Sequence, residues 1–329
     1  MKILVIGPED QYAVYKPDFA AEIPVELVFR RKDQPPVEAA QENPDVEILF
    51  VDATTKIGSD VMDELPGLKM IHTVGVGYNH VDGAAARERG IYVCNNKACN
   101  ADSVAEHAIM LMLMALRAGI SGHQAVVEGR QFQTKLETIA ARRPGLFQCS
   151  VGLVGFGDIA QAAARRLSAF GCTLYYYTAH RRPPEVEAAF GVTYLPLEEL
   201  VETCDIISLH CAVNERTRGM VNGAFLSKMK GDAVLVNCAR GDLIDNEALR
   251  EALIQGRIAC AALDTIEPEP TPGDHPLVDL PEEARRRVVY SPHLGGSSSG
   301  AFEKAHRTMW HNAKRILDGE RPIYVVNGI

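Results

Sequence analysis

Three residues that lie far apart along the chain could together transfer a proton to a carbonyl group. They are Arg240, Glu269 and His293. A histidine can donate or accept a proton near neutral pH, and a nearby carboxylate raises its pKa and orients its ring. A guanidinium can hold a carboxylate and polarise a carbonyl oxygen. The set therefore predicts acid–base chemistry on a small carbonyl compound that carries a carboxylate.

The backbone around these residues favours that hypothesis. Arg240 comes just past an apolar run that ends at Asn237, and His293 follows another such run. Glu269 lies in the loop 264–276, whose four prolines exclude a helix and a central strand. Open α/β sheets bind ligands where their strands end. The alternatives are a surface arginine that caps a strand and a structural histidine.

A glycine turn forms a second candidate site. Val151 to Ala160 contains the pattern Gly-x-Gly-x-x-Ala between an apolar run and a helical pattern. Gly155 permits a tight turn, Gly157 lets the backbone approach a pyrophosphate, and Ala160 permits close helix packing. The helix N-terminus offers N–H donors to phosphates. The alternative is a structural turn, but the strand–turn–helix context favours a dinucleotide site.

The end of the following strand indicates which dinucleotide to expect. An acidic residue there would bind the ribose hydroxyls. Here the strand is followed by Thr178, Arg181 and Arg182, and the first carboxylate is that of Glu185. Guanidinium groups suit a 2′-phosphate, so we expect NADP(H) to be favoured and NAD(H) to remain possible. The alternative is that both arginines are solvated loop charges.

Short apolar runs and helical patterns must position these sites. Their alternation predicts an α/β fold of two doubly wound parallel sheets. The predicted strands lie near 2–6, 25–29, 47–52, 69–74, 91–93, 151–155, 173–177, 205–210, 233–237, 258–263 and 287–290.

The length of 329 residues predicts two domains. A capping box at Ser103 predicts the helix that begins the second domain. Residues 120–150 are predicted to be an irregular, polar dimerisation arm, and a last helix near 300–318 to return to the first domain. The predicted domains are a substrate domain, 1–98 with 296–329, and a dinucleotide-binding domain, 99–295.

Composition excludes several classes of protein. A net charge of −9 argues against a general nucleic-acid binder. No apolar stretch is long enough to span a bilayer, and the N-terminus predicts a strand rather than a secretory signal, so we expect a cytoplasmic protein without membrane contact. The eight cysteines are scattered, and we expect reduced core thiols with no metal site and no disulfide framework.

Motifs along nearly the whole chain carry a family resemblance. In chain order they are Gly75-Val76-Gly77 with Asn79 and Asp82, Val104-Ala105-Glu106-His107, the turn 155–160, Leu209-His210, the run from Asn237 to Gly241, Asp264 with Glu269-Pro270, and Pro292-His293. This set resembles the D-isomer-specific 2-hydroxyacid dehydrogenases. The resemblance implies a Rossmann nucleotide domain, a flavodoxin-like substrate domain, an active site in the cleft between them, and a homodimer formed through the nucleotide domains.

The resemblance also implies residue roles. Arg240 and the backbone of Val76 and Gly77 would bind the substrate, Glu269 would partner His293, and His293 would be the acid–base residue. Glu106 and His107 would be structural. The predicted dinucleotide contacts are Gly155, Phe156, Gly157, Asp158, Ile159, Thr178, Arg181, Arg182, His210, Cys211, Thr217, Cys238, Ala239, Arg240, Asp264, His293 and Gly295.

Within the family, the chain looks most like glyoxylate/hydroxypyruvate reductases. Its departures are Thr178 in place of an acidic residue, Ala212 in place of a proline, and Phe132 in place of a tryptophan. One alternative is a phosphoglycerate dehydrogenase, for which Lys56 is the candidate phosphate ligand. The alternative from another class is a dinucleotide-sensing, corepressor-like binding protein.

Overall fold

Parallel strands form at the short apolar runs that the sequence predicts as strands. The computed structural model describes residues 1–31, 33–52 and 55–329. Its strands are β1 (Lys2–Ile6), β2 (Glu26–Phe29), β3 (Ile48–Val51), β4 (Met70–Thr73), β5 (Tyr92–Cys94), β6 (Ser150–Val154), β7 (Thr173–Tyr177), β8 (Val192–Tyr194), β9 (Ile206–Leu209), β10 (Val234–Asn237), β11 (Cys260–Leu263) and β12 (Val288–Tyr290). The predicted α/β class and the parallel sheets are confirmed.

Helices fall between the strands, as the alternating pattern requires. They are α1 (Glu9–Tyr15), α2 (Pro36–Gln41), α3 (Ser59–Asp63), α4 (Gly83–Glu88), α5 (Ala101–Leu116), α6 (Gly119–Val127), α7 (Gln131–Ala140), α8 (Asp158–Ala169), α9 (Pro184–Phe190), α10 (Leu197–Thr203), α11 (Gly223–Lys228), α12 (Asn246–Ile254), α13 (Glu282–Arg285) and α14 (Ser299–Leu317).

The chain divides into two units, and the first contains Met1–Asn100 with Ser298–Ile329. Its sheet has the strand order β2-β1-β3-β4-β5. Helix α14 belongs to this unit and buries Met309 and Trp310 against the β1 and β3 side chains Val5 and Phe50. This C-terminal helix therefore completes a core that begins at the N-terminus.

The second unit contains Ala101–Ser297 and a seven-stranded sheet in the order β12-β11-β10-β9-β6-β7-β8. Both faces of this sheet are covered, because side chains alternate along each strand. In β10, Val234 and Val236 join the cluster that contains α5 and α8, whereas Leu235 joins the cluster on the other face. Such two-sided burial explains why the strands read as continuous apolar runs.

Two local predictions in the second unit are wrong. Helix α5 begins at Ala101, so Ser103 lies inside its first turn instead of capping it, and its hydroxyl donates to the carbonyl of Gly295 at 2.7 Å. The predicted irregular arm contains the helices α6 and α7. Their helical pattern was missed because Gly119 and Gly122 indicated a break and α7 has few apolar residues, of which Phe132 is 71% exposed. Strand β8 was not predicted, because the polar Thr193 interrupts its apolar residues.

Cysteines and helix lengths complete the description. All eight cysteines are free thiols, and Cys94, Cys149, Cys204, Cys238 and Cys260 are buried. Within the described ranges, no single helix has the length and apolar content to cross a membrane. Helices α5 and α6 meet those criteria only as a pair bent by 59°.

Candidate active site

The carboxyl edge of the seven-stranded sheet gathers most of the predicted site residues. All pairs in this sheet are parallel, so the segments that follow its strands leave from the same edge. The segments after β6, β7, β9, β10, β11 and β12 begin with Gly155, Thr178, His210, Cys238, Asp264 and Ser291. The edge thus has the placement at which open α/β sheets bind ligands.

Arg240 is fixed by a turn just past β10. The side chain of buried Asn237 accepts a hydrogen bond from the Ala239 N–H at 3.0 Å and donates one to the Arg240 carbonyl at 2.9 Å. At Gly241, an added Cβ would lie 2.2 Å from the backbone nitrogen of Glu267. Only glycine therefore lets the Arg240 turn approach the loop that carries Glu269.

A buried histidine organises the loop of Glu269. His275 is 4% exposed, and its Nδ1 accepts from the Leu277 N–H at 3.2 Å. Its Nε2 therefore carries the hydrogen and donates to the Glu267 carbonyl at 3.0 Å, which Asn246 also contacts at 3.0 Å. Sequence reasoning missed this role of His275, because the contacts join residues that no local pattern connects. The loop forms no helix or strand, as its prolines predicted.

His293 and Glu269 form a direct pair. His293 Nδ1 lies 2.7 Å from Glu269 Oε2, and both side chains are partly exposed. The hydrogen bond that His293 donates to Glu269 raises the pKa of His293, whereas burial and the Arg240 guanidinium act to lower it; the net direction is upward. In the described part of the chain, Nε2 has no hydrogen-bond partner, so it can meet a substrate.

The backbone of His293 is unusual and is held by Asp264. His293 has a φ of +55°, and its N–H donates to the Asp264 carbonyl at 2.9 Å. The Asp264 carboxylate accepts from the N–H groups of Leu294 (2.8 Å) and Gly295 (2.9 Å). Burial would raise the pKa of Asp264, but hydrogen bonds, the first from His107, hold it well below its usual range. The carboxylate is thus an anchor for this turn, and its predicted contact with a cofactor stays a prediction.

The glycine turn has room for a pyrophosphate. Gly155 has a φ of +96°, and an added Cβ would lie 2.7 Å from the His210 backbone, so the fold itself requires glycine there. At Gly157, which precedes α8, an added Cβ would meet no described atom within 4 Å. Packing therefore does not require Gly157, and its open surface at a helix N-terminus fits a phosphate group. The Phe156 side chain is buried in the core, so only its backbone can contribute.

The loop after β7 holds its two arginines differently. Arg181 forms a bidentate ion pair with Glu187 at 2.8 and 2.9 Å, whereas Arg182 donates to the Phe156 carbonyl in the glycine turn at 3.1 Å. Hydrogen bonds from Arg181 and from the Tyr176 hydroxyl lower the pKa of Glu187 to about 2. Sequence reasoning missed Glu187 because it searched only the strand end. Thr178 is turned to its own loop and donates to the His180 carbonyl at 2.6 Å.

The remaining predicted cofactor residues line neighbouring strand ends. His210 Nε2 lies 2.9 Å from the Ser208 hydroxyl, and burial lowers the pKa of His210 to about 4. Thr217 donates to the Ala212 carbonyl at 2.7 Å and closes the loop after β9. Burial raises the pKa of Cys211 to about 11, and it also raises that of Cys238. These thiols are protonated near neutral pH and act as packing groups. Ile159 and Asp158 lie in the first turn of α8.

The first unit contains the turn of Val76 and Gly77 after β4. The Asn95 side chain donates to the Val76 carbonyl at 2.7 Å, and Asn96 donates to the carbonyls of Thr73 and Val74. Side-chain hydrogen bonds from two asparagines thus fix the carbonyl groups of this turn. Within the described residues, the N–H groups of Val76 and Gly77 donate to no acceptor, as an anion-binding nest requires.

Comparison with known proteins identifies relatives along most of the chain. The family described as D-isomer specific 2-hydroxyacid dehydrogenase, NAD binding domain, matches residues 109–295. A glyoxylate reductase of Thermofilum pendens is 35% identical over 92% of this chain and 88% of its own. A hydroxypyruvate reductase of Thermotoga maritima is 36% identical over 78% and 80%. A D-3-phosphoglycerate dehydrogenase of Methanocaldococcus jannaschii is 34% identical over 99% of this chain but only 59% of its own.

Solved structures share the fold over nearly the full length. A Thermus thermophilus protein has a TM-score of 0.83 at 31% identity and covers 99% of this chain and 100% of its own. A D-lactate dehydrogenase of Lactobacillus jensenii, solved with NAD⁺, has a TM-score of 0.81 at 25% identity, with 99% of each chain covered. An acyclic imino acid reductase in complex with NADPH and D-arginine has a TM-score of 0.80 at 26% identity and covers 99% and 100%.

Proposed function

Since the chain belongs to the D-isomer-specific 2-hydroxyacid dehydrogenase family, we propose that it reduces glyoxylate, hydroxypyruvate or a similar small 2-oxo acid. It is a nicotinamide-dependent oxidoreductase, as the family and the names of its relatives indicate. The relatives named glyoxylate reductase and hydroxypyruvate reductase support this class of substrate.

The pair of His293 and Glu269 carries the proposal. Glu269 holds Nδ1 of the ring at 2.7 Å and favours the imidazolium, so Nε2 is the nitrogen that gives its proton to the carbonyl oxygen. A bound nicotinamide supplies the hydride for the carbonyl carbon. His293 becomes neutral in this step, and in the reverse direction the neutral ring takes the proton from the hydroxyl group. Glu269 keeps the ring oriented in both directions.

We assign the substrate carboxylate to Arg240 and to the N–H groups of Val76 and Gly77. The guanidinium of Arg240 donates to its own Ala239 carbonyl through one nitrogen, which leaves further N–H groups for a bidentate contact. The same positive charge would polarise the carbonyl group. The two N–H groups contribute donors without a side chain, which suits a small acid such as glyoxylate.

We propose a preference for NADP(H) that depends mainly on Arg182. Arg181 is neutralised by Glu187, whereas Arg182 reaches the glycine turn through one nitrogen and keeps its charge. A guanidinium beside that turn attracts a 2′-phosphate. NAD(H) binding remains the alternative, because nothing in this loop repels a ribose hydroxyl. The cofactor would lie against Gly157 and the start of α8.

A second candidate function is the oxidation of a phosphorylated 2-hydroxy acid, which the similarity to D-3-phosphoglycerate dehydrogenases favours. Lys56, exposed in the first unit, is the cation that we would assign to the substrate phosphate.

The alternative from another class is a dinucleotide-sensing binding protein. Such a protein would bind the cofactor without turnover of any 2-oxo acid.

We further propose a cytoplasmic homodimer in which α6 and α7 form the interface. Phe132, Leu136 and Ile139 are exposed by 71%, 51% and 62%, and their spacing puts them on one side of α7. Exposed apolar faces of this kind mark interaction sites. Light scattering should give twice the monomer mass, and a double Phe132→Ser and Leu136→Ser variant should give the monomer mass.

A panel of 2-oxo acids tests the proposed function. Glyoxylate, hydroxypyruvate and 3-phosphohydroxypyruvate are each added with NADPH or NADH, and the loss of absorbance of the reduced nicotinamide is followed. We expect turnover of glyoxylate or hydroxypyruvate, faster with NADPH. Turnover of the phosphorylated acid alone would favour the second candidate. Cofactor binding without turnover of any acid would favour the binding protein.

A further inference from the structure

Helix α5 meets the turn that carries His293 through a histidine that the proposed reaction does not use. His107 Nε2 lies 2.8 Å from Ser291 Oγ and 3.1 Å from Asp264 Oδ1. The His107 and Asp264 side chains are 13% and 1% exposed. Water has little access to this contact, so it cannot easily replace a donor that is removed.

The turn needs such support because its backbone is strained. A residue other than glycine with a positive φ, here His293 at +55°, costs about 1–3 kcal/mol and persists only where its surroundings fix it. Asp264 fixes it with three bonds: its carbonyl to His293, and its two carboxylate oxygens to Leu294 and Gly295. An added Cβ on Gly295 would lie 2.9 Å from the carboxylate, so the fit is tight.

Asp264 in turn depends on donors from outside the turn. A buried carboxylate must be hydrogen-bonded to stay charged. His107 and Ser291 supply the side-chain hydrogen bonds that keep the pKa of Asp264 low. Without His107, the carboxylate would rotate toward other donors or take up a proton, and either change would weaken its bonds to the 294 and 295 N–H groups.

We propose that His107 is a positioning residue for proton transfer, acting through Asp264 and Ser291 to hold His293 against Glu269. The proposal rests on the proposed function, in which His293 is the proton donor. It gives His107 a part in the reaction, beyond the structural role that the family resemblance implies. His107 itself touches neither substrate nor cofactor in this proposal.

The test compares His107→Leu, which removes the donor, with His107→Gln, whose amide can occupy the place of Nε2. His107→Leu should lower kcat about 10- to 100-fold, as expected for a small misplacement of a catalytic group. KM for the 2-oxo acid should change by less than about threefold, because its carboxylate is assigned to Arg240, Val76 and Gly77 and not to His107. His107→Gln should restore most of kcat. His311→Leu, which replaces an exposed histidine of α14, is the matched control and should keep full activity.

A second measurement does not depend on turnover. The pKa of the His293 imidazole is followed by NMR in the unmodified protein and in each variant. It should fall in His107→Leu, because the ring moves away from Glu269, and return in His107→Gln. If the unmodified protein turns over no 2-oxo acid, the proposed function fails, but the NMR titration still decides whether His107 positions His293.

Defined results would overturn the positioning role. It fails if His107→Leu keeps kcat within about threefold, if His107→Gln restores stability without kcat, or if the pKa of His293 is the same in every variant. Should His107→Leu not fold, Ser291→Ala decides. That variant removes the other side-chain donor and should lower both kcat and the pKa of His293, and no change in either would overturn the proposal.

Discussion

The two halves of the seven-stranded sheet each present a cation paired with a carboxylate at a similar distance, but the first pair has one hydrogen bond and the second has two. On the side of β11 and β12, His293 lies 2.7 Å from Glu269. On the side of β7, Arg181 lies 2.8 Å from Glu187. The imidazole can release its proton near neutral pH, whereas the guanidinium cannot. An ion pair at a sheet edge therefore indicates chemistry only when one partner can titrate in the working pH range.

The two pairs also differ in how their backbone is held. His293 has a positive φ and is anchored by the nearly fully buried Asp264, so its ring direction is set by the interior of the unit. Arg181 lies on an exposed loop, and Glu187 orients it from a neighbouring helix. Strained, internally anchored backbone is typical of functional positions. We therefore expect substitutions near His293 to lower activity sharply. Substitutions in the loop after β7 should change cofactor affinity only as far as they change the charge of the loop.

The largest effect should come from His293→Ala. Loss of the acid–base group should lower kcat by about 10²- to 10⁴-fold. NADPH binding, measured by fluorescence titration, should change little because the glycine turn is intact. Substantial remaining turnover would remove His293 from the mechanism and would make the two ion pairs equivalent. His180→Ala, in the loop after β7, is the matched histidine control.

Glu269→Gln should have the next largest effect and should change the pH profile. Glu269 raises the pKa of His293, and reduction needs the protonated ring. The amide removes that effect, so the pH at which reduction falls off should move toward acid, and kcat near pH 7.5 should drop about 10- to 100-fold. In the reverse direction, which needs the neutral ring, the profile should extend to lower pH. An unchanged profile would contradict the assigned role of Glu269.

The sequence predicted most of the strands and the residues of the candidate site. The apolar runs, the glycine turn and the ordered set Arg240, Glu269 and His293 are local patterns, and they predicted the strands and the candidate residues. The hydrogen bond between Glu269 and His293 follows from their placement after neighbouring strands. The expected cleft between the domains and the role of Val76 stay predictions.

What the sequence could not provide are contacts between distant segments. His107 and Ser291 are 184 positions apart, and nothing near either residue indicates the other. Glu187 lies only six positions after Arg181, but the pair forms because α9 turns the carboxylate back toward the loop. Helices α6 and α7 were missed for a different reason: Gly119 and Gly122 indicated a break, and the few apolar residues of α7 did not outweigh it.

The glycine turn gives a matched pair of variants, one of which should lose cofactor affinity and the other stability. Gly157→Ala puts a methyl group into open space, so stability should hold while NADPH affinity falls about 30-fold, as for an overpacked contact. Gly155→Ala puts a methyl group against the His210 backbone at a φ of +96°, so the free energy of unfolding should fall by about 2–4 kcal/mol. Thermal melts and cofactor titrations separate the two. Equal cofactor affinity in Gly157→Ala and the unmodified protein would argue against a pyrophosphate there.

The smallest effects should come from the arginines after β7, and they decide the cofactor. Arg182→Ala should raise KM for NADPH about tenfold and leave KM for NADH nearly unchanged, because it removes a charge-assisted contact to a 2′-phosphate. Arg181→Ala should raise KM for NADPH less than about threefold, since Glu187 already neutralises that guanidinium.

If Glu187 competes with the 2′-phosphate for Arg181, then Glu187→Gln should lower KM for NADPH about two- to threefold without changing KM for NADH. If Arg182→Ala raises KM equally for NADPH and NADH, then Arg182 contacts a part that both dinucleotides share. The proposed preference for NADP(H) would then be wrong.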